Sequence, residues 1–342
     1  MLANPLTTAL HGQPPMRYIT LGSTGLKVSR LCIGCMSFGG SDADGYEWSL
    51  GYDDSKRMID RAVDLGINFF DTADVYSNGR SEQIVGKALK GRRNQVVIAT
   101  KVGLPTGDGP DDRGLGRKHV RRNLRRSLAN LQTDRIDLYQ IHRWDYNTPI
   151  ERVLRTLTDA VRKEGVVDNL GGSSMWARQF AKALYASDRL GLERFKTMQN
   201  HYNLAYREEE REMIPLCREE GIPLLPWSPL GRGFLTGKYR RRAKPATIRY
   251  KTDIYLSKRY FRPEDFDVVE RLEEVATAKG VRPAQVALAW LISKKDVASP
   301  IIGPTRVEQL EELVAAVDLH LKSDETKRLE EPYRPHPVLG HE

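Results

Sequence analysis

Short runs of apolar, β-branched residues recur along the chain, separated by stretches in which apolar residues return at helical spacing. That alternation predicts repeated strand–helix units and a parallel sheet. Eight runs stand out, at 30–36, 67–70, 96–100, 136–141, 166–172, 195–198, 222–226 and 298–302. Between the first two, Asp53 or Asp54 is placed to cap a helix whose Met58, Ile59, Ala62 and Val63 share one face, with Gly66 as its stop. The next unit repeats the design, with Ser81 as cap, Ile84, Val85, Ala88 and Leu89 as the buried stripe, and Gly91 as the end. Ahead of the first run, apolar segments at 18–21 and 26–28 flank Gly22-Ser23-Thr24-Gly25 and predict a small hairpin outside the repeat. Eight parallel strands with crossover helices close most naturally into an α/β (β/α)₈ TIM barrel, with the hairpin plugging one end. The longest gap between strand ends, from Gly231 to Pro300, predicts a loop and helix insertion after the seventh strand. Residues 17–342 then form one barrel domain, preceded by a flexible tail at 1–16.

The residues at the end of each run decide where the chemistry lies. In order, the second to eighth runs end in Asp71, Lys101, His142, Ser173-Ser174, Gln199-Asn200, Trp227-Ser228 and Gly303. In a (β/α)₈ barrel the carboxyl ends of the strands face one shared pocket, so these separated segments converge. A phenol with an ordinary pKa of about 10 is a poor proton donor at neutral pH unless positive charge stands beside it. Lys101 supplies that charge, Asp71 holds the ammonium, and Tyr76 on the following loop reaches back over it. His142 can hydrogen-bond a carbonyl oxygen and orient it toward an external hydride donor. The set suits carbonyl reduction.

The same strand ends offer a dinucleotide site. Ser173 and Gln199 can bond a carboxamide, and Trp227 presents a flat face to a nicotinamide ring. Gly231, Leu235 and Lys238 come after the seventh strand, where a small-residue turn and an ammonium can meet a pyrophosphate. Gly303-Pro304-Thr305-Arg306 opens a helix whose free N–H groups favour an anion, and Arg306 adds a planar fork suited to a 2′-phosphate. No Gly-x-Gly-x-x-Gly comes after the first strand, so a Rossmann fold is unsupported.

Composition trims the alternatives. The chain has 342 residues, 40% hydrophobic, 29% charged and 8% aromatic, which describes a soluble globular protein with a full core. No run reaches the roughly 18 apolar residues of a membrane span, and the first residues lack the pattern of a secretory signal, so a cytoplasmic setting is expected. Three cysteines, Cys32, Cys35 and Cys217, fit a reducing compartment and buried thiols. The seven histidines show no metal-ligand spacing, and no metal is expected. Net charge is +9, partly in clusters such as Arg121, Arg122, Arg125 and Arg126, but no aromatic residues interleave that cluster as base stacking would require. A nucleic-acid partner is not expected, and a small-molecule carbonyl substrate is.

Five segments carry a resemblance: Asn68-Phe-Phe-Asp-Thr-Ala-Asp-Val-Tyr76, Ala99-Thr-Lys-Val-Gly103, Leu138-Tyr-Gln-Ile-His142, Pro226-Trp-Ser-Pro-Leu230 and Ile302-Gly-Pro-Thr-Arg-Val-Glu-Gln309. Together they resemble the aldo-keto reductase family from about Tyr18 to Pro337. The resemblance implies NADPH-dependent reduction of aldehydes or ketones, with Tyr76 as general acid, Lys101 and Asp71 as its tuners, and His142 orienting the carbonyl. It implies Ser173, Ser174, Gln199, Trp227, Ser228, Leu230, Gly231, Leu235 and Lys238 along the cofactor, and Gly303, Thr305, Arg306, Gln309 and Glu312 around its adenosine phosphate. The segments at 142–149 and 202–211 resemble bacterial members of the broad-range and sugar-phosphate-related branches. Arg143 and Trp144, next to His142, line the substrate pocket in this reading and suit an anionic substrate with an apolar part.

Some positions depart from the family pattern. Ser174 and Leu313 stand where many relatives have Asn, and Asp168-Asn169 puts two polar groups into a run expected to be apolar. Some relatives keep barrel and nucleotide but serve as potassium-channel subunits with slow turnover, which is the alternative reading. Oligomeric state is not readable from the sequence.

Overall fold

The computed structural model describes residues 15–40, 47–241 and 247–341. The expected tail at 1–16 therefore lies almost wholly outside the described residues. Tyr18–Thr20 (β1) and Lys27–Ser29 (β2) form the antiparallel hairpin. The parallel strands are β3 (Cys32–Gly34), β4 (Phe69–Asp71), β5 (Val97–Val102), β6 (Leu138–Ile141), β7 (Leu170–Ser173), β8 (Phe195–Gln199) and β9 (Ile301–Ile302), in the sheet order β8-β7-β6-β5-β4-β3-β9. The expected seventh barrel strand is no regular strand. Pro223 and Pro226 lack the N–H groups a ladder needs, so this segment pairs through single bridges. Leu224 and Trp227 bridge to Met198 and His201 on one side and to Val297 and Ile301 on the other, which closes the (β/α)₈ barrel.

Between strands run the helices α1 (Tyr52–Asp64), α2 (Arg80–Ala88), α3 (Arg117–Leu131), α4 (Ile150–Arg162), α5 (Ala177–Leu190) and α6 (Met213–Glu219). The insertion after the seventh segment holds α7 (Ile248–Thr252), α8 (Ile254–Arg259), α9 (Pro263–Lys279) and α10 (Pro283–Ser293), and α11 (Val307–Val314) and α12 (Ser323–Glu330) come after β9. Two expected caps are corrected. Gly51 precedes α1, leaving Asp53 and Asp54 in its first turn, where carboxylates favour the helix dipole. Ser81 lies inside α2, with Gly79 as N-cap; its hydroxyl instead donates to the Cys35 carbonyl at 2.7 Å and pairs with Thr72 Oγ1 at 2.8 Å, tying the helix to two strand ends.

Period-two alternation sorts the strand residues between two apolar layers. Ile33, Phe70 and Ile98 point out to the helices, whereas Cys32, Phe69, Val97, Ala99, Leu138 and Leu225 fill the barrel. Leu21 and Val28 of the hairpin join that interior layer, so the hairpin plugs the amino-terminal end. Cys32, Cys35 and Cys217 are buried free thiols. The polar pair ahead of β7 sits before the strand, which starts at Leu170 rather than 166. Exposed Asp168 faces Arg135, and buried Asn169 accepts from Lys196 Nζ at 2.9 Å while donating to the Asp137 carbonyl at 3.3 Å. Among the described residues, no helix is long and apolar enough to cross a membrane.

Candidate active site

The inward parity that starts with Phe69, Ala99, Leu138 and Gly171 continues to Asp71, Lys101, Gln140, His142 and Ser173 at the carboxyl ends of β4 to β7. Lys101 has no exposed surface, and its Nζ bonds Asp71 Oδ1, the Thr72 carbonyl at 2.9 Å and Tyr76 OH at 3.3 Å. Burial works against the ammonium, yet the Asp71 carboxylate and the Tyr76 phenol outweigh it and hold the Lys101 pKa above its ordinary value. Gln140 and Gln199 both donate to the other Asp71 oxygen, at 3.0 and 2.9 Å. The carboxylate is thus fixed by three donors before it meets any ligand. Gln140 was not singled out by sequence reasoning, although its inward parity two residues before His142 is a usable signal.

His142 meets the Tyr76 ring edge-on, with centroids 5.7 Å apart. Burial first, then the Arg143 and Lys101 charges, push its imidazole well below the ordinary histidine range, so it stays neutral at physiological pH. A neutral imidazole keeps one N–H to offer a carbonyl oxygen beside the phenol. Asp74 is a buried group that no sequence signal marked. Neither of its carboxyl oxygens has a partner among the described residues, and burial and Glu82 raise its pKa well above the ordinary range.

On the cofactor side, Trp227 Nε1 donates to Ser174 Oγ at 3.0 Å, and Ser174 pairs with Ser173 at 3.1 Å. The Trp227 ring stacks on His201, with centroids 4.1 Å apart, and the Arg259 guanidinium stands 4.9 Å from its ring centroid, so the flat face expected for a nicotinamide ring carries these side chains instead. His201 also stacks on Tyr206 at 4.0 Å and meets the Tyr260 hydroxyl at 2.6 Å. Gln199 turns its NH₂ to Asp71 and Gln140, so its carbonyl oxygen is the atom left for a carboxamide. Ser228, Gly231, Arg232 and Gly233 all take positive φ, a backbone run that turns sharply over Leu230 and buried Leu235. Lys238 Nζ lies over Gly233, where an added Cβ would stand 2.8 Å from it. Partial enclosure, then the Arg249 and Arg306 guanidiniums, lower the Lys238 pKa. Arg249 is itself held by Asp253 at 3.3 Å, which leaves Lys238 and Arg306 as the cations there without a carboxylate among the described residues. Arg306 is the exposed N-cap of α11, Thr305 N–H donates to Gln309 Oε1 at 3.0 Å, and the backbone carbonyl of Glu312 accepts from Gln285. Gly303 is exposed beside them. Lys238 and Arg306, a helix start and paired hydroxyls fit a nicotinamide dinucleotide. Trp144 packs against the outer core rather than lining a pocket with Arg143, whose Nη1 donates to the His142 carbonyl at 2.7 Å.

His201 carries a stability prediction. Burial, then Arg259 and the other nearby cationic groups, depress its pKa well below the ordinary value. On acidification the unfolded chain takes up this proton first, so the contribution is complete above about pH 6.5 and is lost below it, by up to about 1.4 kcal/mol per pH unit. His142 acts with the same sign. Thermal melts from pH 7.5 to 5 are expected to fall in midpoint, with a shallower fall in His201→Gln; parallel curves would remove His201 as the cause.

A barrel whose strand ends bring Tyr, Lys, Asp and His together, with Lys238 and the Arg306 helix start at the same mouth, has the architecture of an oxidoreductase class that handles carbonyls. Comparison with known proteins agrees: the Aldo/keto reductase family model matches residues 30–334, and the chain belongs to that family. It is 40% identical to a versiconal hemiacetal acetate reductase of Aspergillus parasiticus, with 94% of this chain and 98% of that protein aligned. It is 39% identical to a putative aryl-alcohol dehydrogenase of Schizosaccharomyces pombe, covering 95% and 98%, and 38% identical to an aldo-keto reductase of Alternaria alternata, covering 95% and 93%. These relatives are fungal, so the expected bacterial, sugar-phosphate-related branch is not supported.

Proposed function

We propose that the protein reduces an aldehyde or ketone to the alcohol with NADPH, Tyr76 giving the proton. The observation that carries this is the single hydrogen-bonded set in which Lys101 bridges Asp71 and Tyr76 while His142 stands against the Tyr76 ring. The reduced nicotinamide supplies the hydride when bound. Tyr76 protonates the developing alkoxide, His142 orients the carbonyl oxygen, and Lys101 stabilises the phenolate that remains. Asp71, clamped by Gln140 and Gln199, keeps Lys101 charged and in place. In this reading Ser173, Ser174 and the Gln199 carbonyl hold the carboxamide, and Lys238 and Arg306 take phosphate charge, which favours NADPH over NADH. The aryl-alcohol dehydrogenase and reductase names of the relatives support an aromatic or bulky carbonyl. Three buried thiols fit a reducing, cytoplasmic setting.

The test is decay of NADPH absorbance with the purified chain against an aromatic aldehyde and an α-dicarbonyl, with NADH alongside. Carbonyl-dependent decay is expected, and tight nucleotide binding without turnover on any carbonyl would overturn the reading. Arg306→Ala is expected to weaken NADPH about 10- to 100-fold more than NADH, as loss of a charge-assisted phosphate contact should. Equal weakening of both would remove the 2′-phosphate role.

A further inference from the structure

Most arginines around the insertion are matched by carboxylates. Arg232 Nε donates to Asp253 at 2.6 Å, Arg249 shares the same carboxylate at 3.3 Å, and Arg241 reaches Asp267 and Glu270. Arg143 and Arg259 differ. Among the described residues, Arg143 makes one hydrogen bond, from Nη1 to the carbonyl of its own neighbour His142 at 2.7 Å, and has no carboxylate partner. Among the described residues the side chain of Arg259, the last residue of α8, makes no hydrogen bond or ion pair and lies against the faces of Trp227 and Tyr255, at 4.9 and 5.0 Å from the ring centroids; the one carboxylate acting on it, Asp253, is already bonded by Arg232 and Arg249. Both are partly enclosed. The charges near Arg143 are the Tyr76 and Tyr255 phenols and the Arg259 guanidinium itself; burial first, with Arg259 adding to it, brings its pKa down to about 10. Two guanidiniums with no carboxylate in hydrogen-bond reach among the described residues therefore stand at the carboxyl-end mouth of the barrel, Arg143 tied to the His142 carbonyl and Arg259 against Trp227 of the seventh segment.

Holding like charges together in partial enclosure is unfavourable unless an anion arrives to neutralise them. Guanidinium forks match a carboxylate in plane and in donor spacing. We propose that Arg143 and Arg259 form a carboxylate-binding pair, and that the carbonyl substrate carries its carboxylate next to the reacting carbon, as a 2-oxo acid does. The chain sets that separation: Arg143 comes directly after His142 and its Nη1 donates to the His142 carbonyl at 2.7 Å, so a carbonyl held by the first leaves its acid group within reach of the second. In the reaction the carbonyl π bond breaks, the carbon accepts a hydride with its electron pair from the reduced nicotinamide, and the oxygen takes the Tyr76 proton. A 2-hydroxy acid and oxidised nicotinamide result, and solvent returns the phenol proton.

The inference rests on the reductase reading, and the experiment separates the two. The NADPH-loaded full chain is assayed on phenylpyruvate and on phenylacetaldehyde, which lacks the carboxylate, while binding of phenylacetate, an acid with no ketone to reduce, is followed by calorimetry. The wild type should favour phenylpyruvate in kcat/KM. Arg143→Gln should lower that preference at least about 30-fold and weaken phenylacetate by a similar factor, with Arg143→Lys recovering part, since truncating one side of an enclosed charge pair has effects of this size. Arg259→Gln should act in the same direction and provides the test if Arg143→Gln folds poorly. A wild-type preference for the aldehyde, equal losses on both substrates, or a loss of NADPH affinity with the preference intact would overturn the pair; the last would assign the guanidiniums to the nucleotide. Absent phenylacetate binding would overturn it whatever the turnover. No reduction of either carbonyl, with phenylacetate still bound through Arg143, would instead count against the reductase reading.

Discussion

Tyr76→Phe is expected to lower carbonyl reduction by about 10²- to 10⁴-fold, the range for removing a positioned general acid, while NADPH affinity stays close to wild type. The substitution is narrow in its structural effect. Phenylalanine keeps the ring that stands edge-on to His142 and lies 4.9 Å from Lys101 Nζ, so the pocket wall survives and only the hydroxyl is lost. Single-turnover absorbance of the NADPH complex, with nucleotide affinity read from fluorescence titration, checks both halves. Turnover retained near wild type would move the acid elsewhere, with His142 the next candidate.

Lys101→Met is expected to remove activity and to destabilise the fold by about 3–5 kcal/mol, because it leaves the Asp71 carboxylate buried without its cation. Asp71 is 3% exposed, and after the change only the amides of Gln140 and Gln199 would remain on it. Adding Asp71→Asn to Lys101→Met should recover much of that stability, since a neutral amide replaces the stranded charge, but should recover no activity. Denaturant unfolding of both single variants and the double variant closes the cycle. A Lys101→Met protein as stable as wild type would mean that Asp71 is neutral in the fold and that the ion pair is not its anchor.

Much of this site was legible in the sequence because strand parity is a strict constraint. Once β4, β5 and β6 are placed, Asp71, Lys101 and His142 must face one interior, and no knowledge of loops is needed to bring them together. The same rule would have reached Gln140. Residues supplied by the insertion were less accessible. Arg259 reaches Trp227 only because α8 is short and ends where it does, and sequence spacing does not fix the path of that loop. Helix starts were misplaced for a related reason: Ser81 looks like a cap by type, but its hydroxyl finds better acceptors on neighbouring strands. The seventh barrel segment showed its two prolines in the sequence, and the loss of regular pairing is their consequence.

Gln199 has a position whose meaning is thermodynamic. Its NH₂ anchors Asp71 and its carbonyl oxygen is the atom left for the proposed carboxamide, so one side chain answers to two clients. Any ligand that rotates or polarises that amide changes the field at Asp71, and hence the proton affinity of Lys101. By reciprocity, the protonation state of Lys101 must alter ligand affinity by the same factor. Nucleotide binding and proton binding are then two faces of one equilibrium, and a titration of either should carry the imprint of the other.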